Sequence, residues 1–157
     1  MRFFASIAAA WLMTLSPAVG ASDMGSGSYS LDGAIKGNYS EARCRLSFNK
    51  YGKVWTLRLI PSDAYGPAAN LFFSTNFGPG KTGEYPIEFA YRTKEGTLGA
   101  SVTSDDGMYS NETSGRVSFS RFDDRVAGTF SYSTQNREGA SVAAKGDFDC
   151  PRGEALR

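Results

Sequence analysis

The side chains that stand out for chemistry in this chain are two thiols, scattered carboxylates and the closely spaced Arg43, Arg45 and Arg58, and no histidine accompanies them. That removes the commonest general base and the commonest metal ligand. Cys44 and Cys150 are the only cysteines. With no histidine and no third thiol they form no recognisable zinc set, and Asp149 beside Cys150 opposes a reactive thiolate. A serine nucleophile would need a lysine or carboxylate as base, and no strand–turn–helix nucleophile elbow is present. Paired carboxylates are the remaining route to catalysis, since two of them suffice to cleave a glycosidic bond. Glu84, Glu88, Asp105, Asp106, Glu112, Asp123 and Asp124 are the candidates. Nearly all fall in turns or on the polar side of a strand, where acids ordinarily serve as turn formers and solubilising groups.

Two acidic runs raise the question of calcium. Asp105-Asp106-Gly107 and Asp123-Asp124 would share an ion only if their loops met at one end of the fold. Their spacing does not follow the alternate ligands and closing Glu of an EF-hand, and hairpin turns use the same residues. No metal site and no cofactor are therefore expected. Arg43, Arg45 and Arg58 are the more specific feature. They share the outward side of two adjacent strands, where guanidinium groups grip the carboxylates or phosphates of an anionic glycan or a lipid head group. The competing explanation is cross-strand pairing with Asp32 or Glu41. Tyr65, Phe77 and Tyr109, read as loop aromatics, are candidate stacking platforms for a sugar or peptide.

The compartment follows from the N-terminus. Met1-Arg2 is a short positive start, Phe3 to Leu15 is apolar except for Ser6 and Thr14, and Pro17 leads into Val19-Gly20-Ala21. This is the layout of a cleavable secretory signal over residues 1–21. The apolar run is too short for a permanent membrane span, and no Cys at the cleavage position offers a lipid anchor. Removing 21 residues from 157 leaves 136, enough for a single domain over residues 22–157. Arg2 goes with the signal, so 17 basic residues become 16 against 16 acids. A neutral chain argues against nucleic acid and against a polybasic membrane-surface role. In an exported chain, an even cysteine count predicts a Cys44–Cys150 disulfide. The asparagines of Asn38-Tyr39-Ser40 and Asn111-Glu112-Thr113 fit a glycosylation sequon, but the signal looks bacterial and their use is not expected.

The elements that must position these groups are strands, because apolar residues recur with period two. The alternating sets are Tyr29, Leu31, Gly33 and Ile35; Ala42, Cys44, Leu46 and Phe48; and Trp55, Leu57 and Leu59, ended by Pro61. Further on come Leu71 to Phe73; Tyr85, Ile87, Phe89 and Tyr91; and Leu98, Ala100 and Val102, followed by a polar loop from Ser104 to Ser114. The last are Val117 and Phe119; Val126, Gly128, Phe130 and Tyr132; and Val142, Ala144, Gly146, Phe148 and Cys150. Both cysteines share parity with apolar neighbours and so point inward. No helical period appears after the signal. About nine strands joined by short turns predict an all-β fold, an antiparallel sandwich or flattened barrel with a single disulfide.

Four segments carry a resemblance: Gly80 to Ile87 (GKTGEYPI), Ser114 to Phe119 (SGRVSF), Arg125 to Tyr132 (RVAGTFSY) and Gly146-Asp147-Phe148. The chain resembles a loose group of uncharacterised bacterial exported β-domains, many of them lipoproteins, over roughly residues 80–150. The resemblance implies fold and compartment and carries no known activity; the lipoprotein cysteine is absent here. Together these features predict a periplasmic or secreted, non-enzymatic binding or structural module. Its partner would be an anionic glycan, a lipid head group or another envelope protein. The alternative is a small carboxylate-dependent, glycosidase-like hydrolase.

Overall fold

The computed structural model describes residues 24–49, 54–62, 69–75, 81–89 and 94–153. The signal segment therefore lies outside the described residues, as do Tyr65, Phe77 and Tyr91. Ten strands are formed: β1 (Gly25–Gly33), β2 (Gly37–Asn49), β3 (Val54–Pro61), β4 (Asn70–Thr75), β5 (Gly83–Glu88), β6 (Leu98–Ser104), β7 (Gly107–Tyr109), β8 (Asn111–Phe122), β9 (Arg125–Gln135) and β10 (Ser141–Pro151). Their hydrogen-bonded order is β4-β3-β2-β1-β10-β9-β8-β5-β6, and β6 pairs back onto β4. Nine strands thus close into a barrel, and the short β7 hangs on the edge of β6.

Alternation decides which side of each strand faces in. In β9, Val126, Phe130, Tyr132 and Thr134 are buried while Thr129, Ser131 and Ser133 are exposed. In β10, Val142, Ala144, Phe148 and Cys150 go inward against Ser141, Ala143, Lys145, Asp147 and Asp149. This polarity is the inverse of a membrane-spanning barrel, which turns its apolar side to lipid. The interior is filled by aromatic rings in edge-on and tilted contact: Phe73 with Phe130 at 5.0 Å, Phe73 with Tyr132 at 5.5 Å and Phe119 with Phe148 at 5.7 Å. Tyr29 reaches across the core and its hydroxyl donates to the Ala69 carbonyl at 2.5 Å.

Two glycines of the inward rows make room for these rings. A Cβ on Gly128 would collide with the Ser118 carbonyl oxygen, and one on Gly146 with the Ser28 carbonyl oxygen and the Tyr29 Cβ. Each strand pair there approaches closely because one partner has no side chain.

The expected disulfide is present, joining Cys44 of β2 to Cys150 of β10 with Cα atoms 5.3 Å apart. These strands are not neighbours, since β1 runs between them. They meet because β1 begins at Gly25, which pairs with Cys44 and has no side chain to hold Asp149 and Cys150 away. Beyond that point β2 and β10 touch directly, through the Leu46–Arg152 bridge and the Gly153 N–H to Leu46 carbonyl bond of 2.8 Å.

Three expectations need correction. The barrel is not wholly antiparallel: β5 and β6 run parallel through Ile87↔Leu98 and Glu88↔Gly99. The Lys94–Gly96 turn is real, with the Thr97 N–H on the Lys94 carbonyl, but it belongs to a crossover, which a parallel pair requires. The polar loop from Ser104 to Ser114 is instead a tight Asp105-Asp106 turn, β7 and the start of β8. Tyr109 in β7 is only 4% exposed and belongs to the core, so it is no stacking platform.

The crosslink closes a loop with a sequence separation of 106 residues. Chain-entropy arguments then predict that Cys44→Ala/Cys150→Ala loses about 2–5 kcal/mol in urea unfolding. Gly128→Ala, which overpacks the β8–β9 contact, should lose roughly 1–3 kcal/mol with the disulfide intact. A double variant as stable as the parent would show that the seam is held by other contacts.

Candidate functional site

Arg43 and Arg45 alternate with the buried Ala42, Cys44 and Leu46 on β2, and Arg58 lies between the buried Leu57 and Leu59 on β3. Inward packing of those neighbours forces all three guanidinium groups outward, and all three residues are exposed. The register adds what spacing alone does not supply. Arg45 and Arg58 stand directly opposite each other across β2–β3, and Arg43 is opposite Ile60. Arg58 is in turn opposite Phe72 of β4 and its guanidinium carbon lies 5.2 Å from the Phe72 ring centre. The Arg45 guanidinium lies against Gly153, where a Cβ would come within 2.6 Å of its Nε.

The expected acid partners do not appear. Asp32 faces Lys36 at 3.9 Å, and among the described residues no carboxylate forms an ion pair with Arg43, Arg45 or Arg58. Two like charges placed directly across a strand pair repel, and among the described residues no ion pair relieves the Arg45–Arg58 apposition. The arrangement suits a ligand carrying several acidic groups, because planar guanidinium groups bind carboxylates and phosphates through paired hydrogen bonds.

Four other arginines are engaged. Arg121 holds Asp123 at 2.8 Å and Asp124 at 2.6 Å, Arg125 holds Asp149 at 2.7 Å, and Arg116 reaches Glu84 at 3.4 Å. Arg152 covers the rings of Trp55 and Phe122, at 4.9 and 5.7 Å. These contacts gather at the disulfide end and around the β8–β9 turn.

Asp123, Asp124 and Glu84 are engaged with arginines, while Asp106 and Glu138 line one hollow of about 420 Å³ at the far end of the barrel. Glycoside hydrolysis needs one acid held protonated near neutral pH, whereas Asp123 is driven the other way, to about 2. The first cause is the Arg125 backbone N–H on its Oδ1 at 3.0 Å, reinforced by Arg121. Asp105 and Asp106 lie beyond the opposite end of β8 from Asp123 and Asp124. Twelve residues of strand separate the two turns, roughly 35–40 Å at about 3.3 Å per residue. They cannot share a calcium ion. Among the described residues, no group of three or more Cys, Asp or Glu is placed to hold a metal.

A feature missed by sequence reasoning is a groove of about 630 Å³ at the far end of the barrel, lined by Phe89, Asn111 to Ser114, and Gln135 to Arg137 with Gly139. It opens where β8 bulges between Asn111 and Ser114 and where Glu112 takes a left-handed φ of 44°. Beneath it Thr113 and Thr134 pair their hydroxyls at 2.8 Å. Glu112 is its one carboxylate among the described lining residues, so it offers no acid pair. Nothing in the alternation signals a bulge, which is why the groove was invisible.

The pKa of Asp123 has a measurable consequence. Its folded value lies below the ordinary 3.8, so its ion pairing stabilises the fold above that value and is lost as pH falls through about 2. The difference in Tm between wild type and Asp123→Asn should therefore be present at pH 5 and shrink steadily toward pH 2. A difference independent of pH across this window would contradict the assignment.

Compared with protein-family models, curated proteins and solved structures, the chain matches none of them. What it does must therefore be argued from its own surface.

Proposed function

We propose that this chain is an exported, non-enzymatic β-barrel module that binds an anionic ligand through Arg43, Arg45 and Arg58. The compartment is part of the proposal, supported by the signal layout of residues 1–21 and by a disulfide, the bond expected of an oxidising environment. The similarity to bacterial exported β-domains points the same way. One observation carries the binding function: Arg45 and Arg58 face each other, and among the described residues no carboxylate pairs with either. Three exposed guanidinium groups in one patch, where Arg116, Arg121, Arg125 and Arg152 are committed to acids or rings, favour an acidic partner. The carboxylate hydrolase loses ground because Asp123, Asp124 and Glu84 are engaged with arginines.

Heparin serves as the probe for an anionic glycan. The exported wild-type protein should bind it with an affinity that falls as salt is raised, since exposed charges are screened. Arg43→Ser/Arg45→Ser/Arg58→Ser should lose at least about tenfold in affinity, the scale of charge-assisted contacts. Its Tm should stay within about 3 °C, because surface substitutions rarely exceed about 0.5 kcal/mol. Absence of binding by the wild type, or full binding by the triple variant, would remove the proposal.

A further inference from the structure

We infer that the arginine face is a docking surface for an anionic lipid bilayer, a deepening that rests on the anion-binding function just proposed. Three observations distinguish a bilayer from a soluble polyanion. The first is the apolar company the arginines keep. Among the described residues the exposed large hydrophobics are Met24 at 40%, Ile60 at 41% and Met108 at 50%. Two of these sit on this face. Ile60 is directly opposite Arg43. Met24 precedes Gly25, and Gly25 pairs with Cys44, so continuing that register sets Met24 beside Arg45. Phe72 adds a half-buried outward ring under Arg58.

A soluble glycan gains little from exposed Ile and Met side chains, whereas the boundary between head groups and acyl chains rewards apolar and cationic groups side by side. The second observation is shape. The residues concerned lie just before β1 and on the outer sides of β2, β3 and β4, spread over neighbouring strands of one sheet surface. The hollows at the far end and over β1 and β10 are lined by other residues. A plane fits such a face better than a chain threading a groove does.

The third is charge separation. The sequence predicted no role at a membrane surface because acids and bases balance. The fold distributes them unevenly: Asp123, Asp124, Asp149 and Glu84 are held by Arg121, Arg125 and Arg116, whereas Arg43, Arg45 and Arg58 have no ion-paired acid among the described residues and Glu41 is the one carboxylate on the outward row of β2. What a bilayer senses within a screening length is this local field, not the total.

The test uses the exported protein in co-flotation with phosphatidylglycerol–phosphatidylcholine vesicles, phosphatidylcholine vesicles and, separately, heparin. Binding is expected to the vesicles containing phosphatidylglycerol and not to phosphatidylcholine alone. Each arginine near an anionic leaflet is worth about fivefold, so the triple Ser variant should lose on the order of a hundredfold. Met24→Ser/Ile60→Ser keeps every charge. It should weaken vesicle binding severalfold and leave heparin binding unchanged, with near-ultraviolet circular dichroism confirming the fold. Heparin binding without vesicle binding would overturn this inference and leave the anion-binding function standing. Equal vesicle binding by Met24→Ser/Ile60→Ser would also overturn it. Binding to neither probe would remove both.

Discussion

The Cys44–Cys150 bond is the constraint on which the barrel and its arginine face both depend. A strand slipped by one residue exchanges its two sides completely. Cys44 sits between Arg43 and Arg45, and its sulfur must point inward to reach Cys150. That single requirement fixes both arginines outward. The β2–β3 register then brings Arg58 opposite Arg45. Gly25 is the permissive element, since only a residue without a side chain lets β10 approach β2 at the end of β1. Closure of the ring and presentation of the cations thus follow from the same few residues.

Charge is organised in the same way. The surface pairs Arg125–Asp149, Arg121–Asp123 and Arg116–Glu84 are solvent-exposed to different degrees and contribute little to stability individually. Their larger effect is to neutralise the β8–β9–β10 side of the barrel. Composition reports a balanced chain because acids elsewhere, among them Glu41, Asp105, Asp106 and Glu112, offset the cations of β2 and β3. A balanced total is compatible with a strongly polar distribution, and only the fold reveals which applies.

Alternation made much of the fold legible. β2, β3, β9 and β10 each place their apolar residues at every second position, and the inward parity of both cysteines predicted their bond. Elsewhere the signal was weak for identifiable reasons. The first half of β1, Gly25 to Ser28, has no large apolar residue and is held by its ladders to β2 and β10 and by the Ser28 hydroxyl on Asp147 at 2.7 Å. β7 is three residues long, too short to show any period. Lys94 to Gly96 looks like a hairpin turn in sequence, yet its flanking strands are parallel neighbours. For the site, spacing showed that the arginines face outward. It did not show that Arg45 meets Arg58 or that no acid answers them, because both depend on cross-strand register. The calcium idea failed because the two acidic turns sit at opposite ends of β8.

Phe73, Phe119, Phe130, Tyr132 and Phe148 belong to one buried cluster in the interior of the ring, with Gly128 against the Phe148 ring and Gly146 against Tyr29. The barrel's outer surface is mostly serine, threonine and paired charge, which makes the β2–β3 patch the exception. A directly opposed Arg45–Arg58 pair works against stability by a few tenths of a kcal/mol or more, and Met24 and Ile60 stay 40% and 41% exposed. Features that do not help a protein fold are the ones that call for an explanation outside folding, and contact with an anionic surface supplies it for all of them at once.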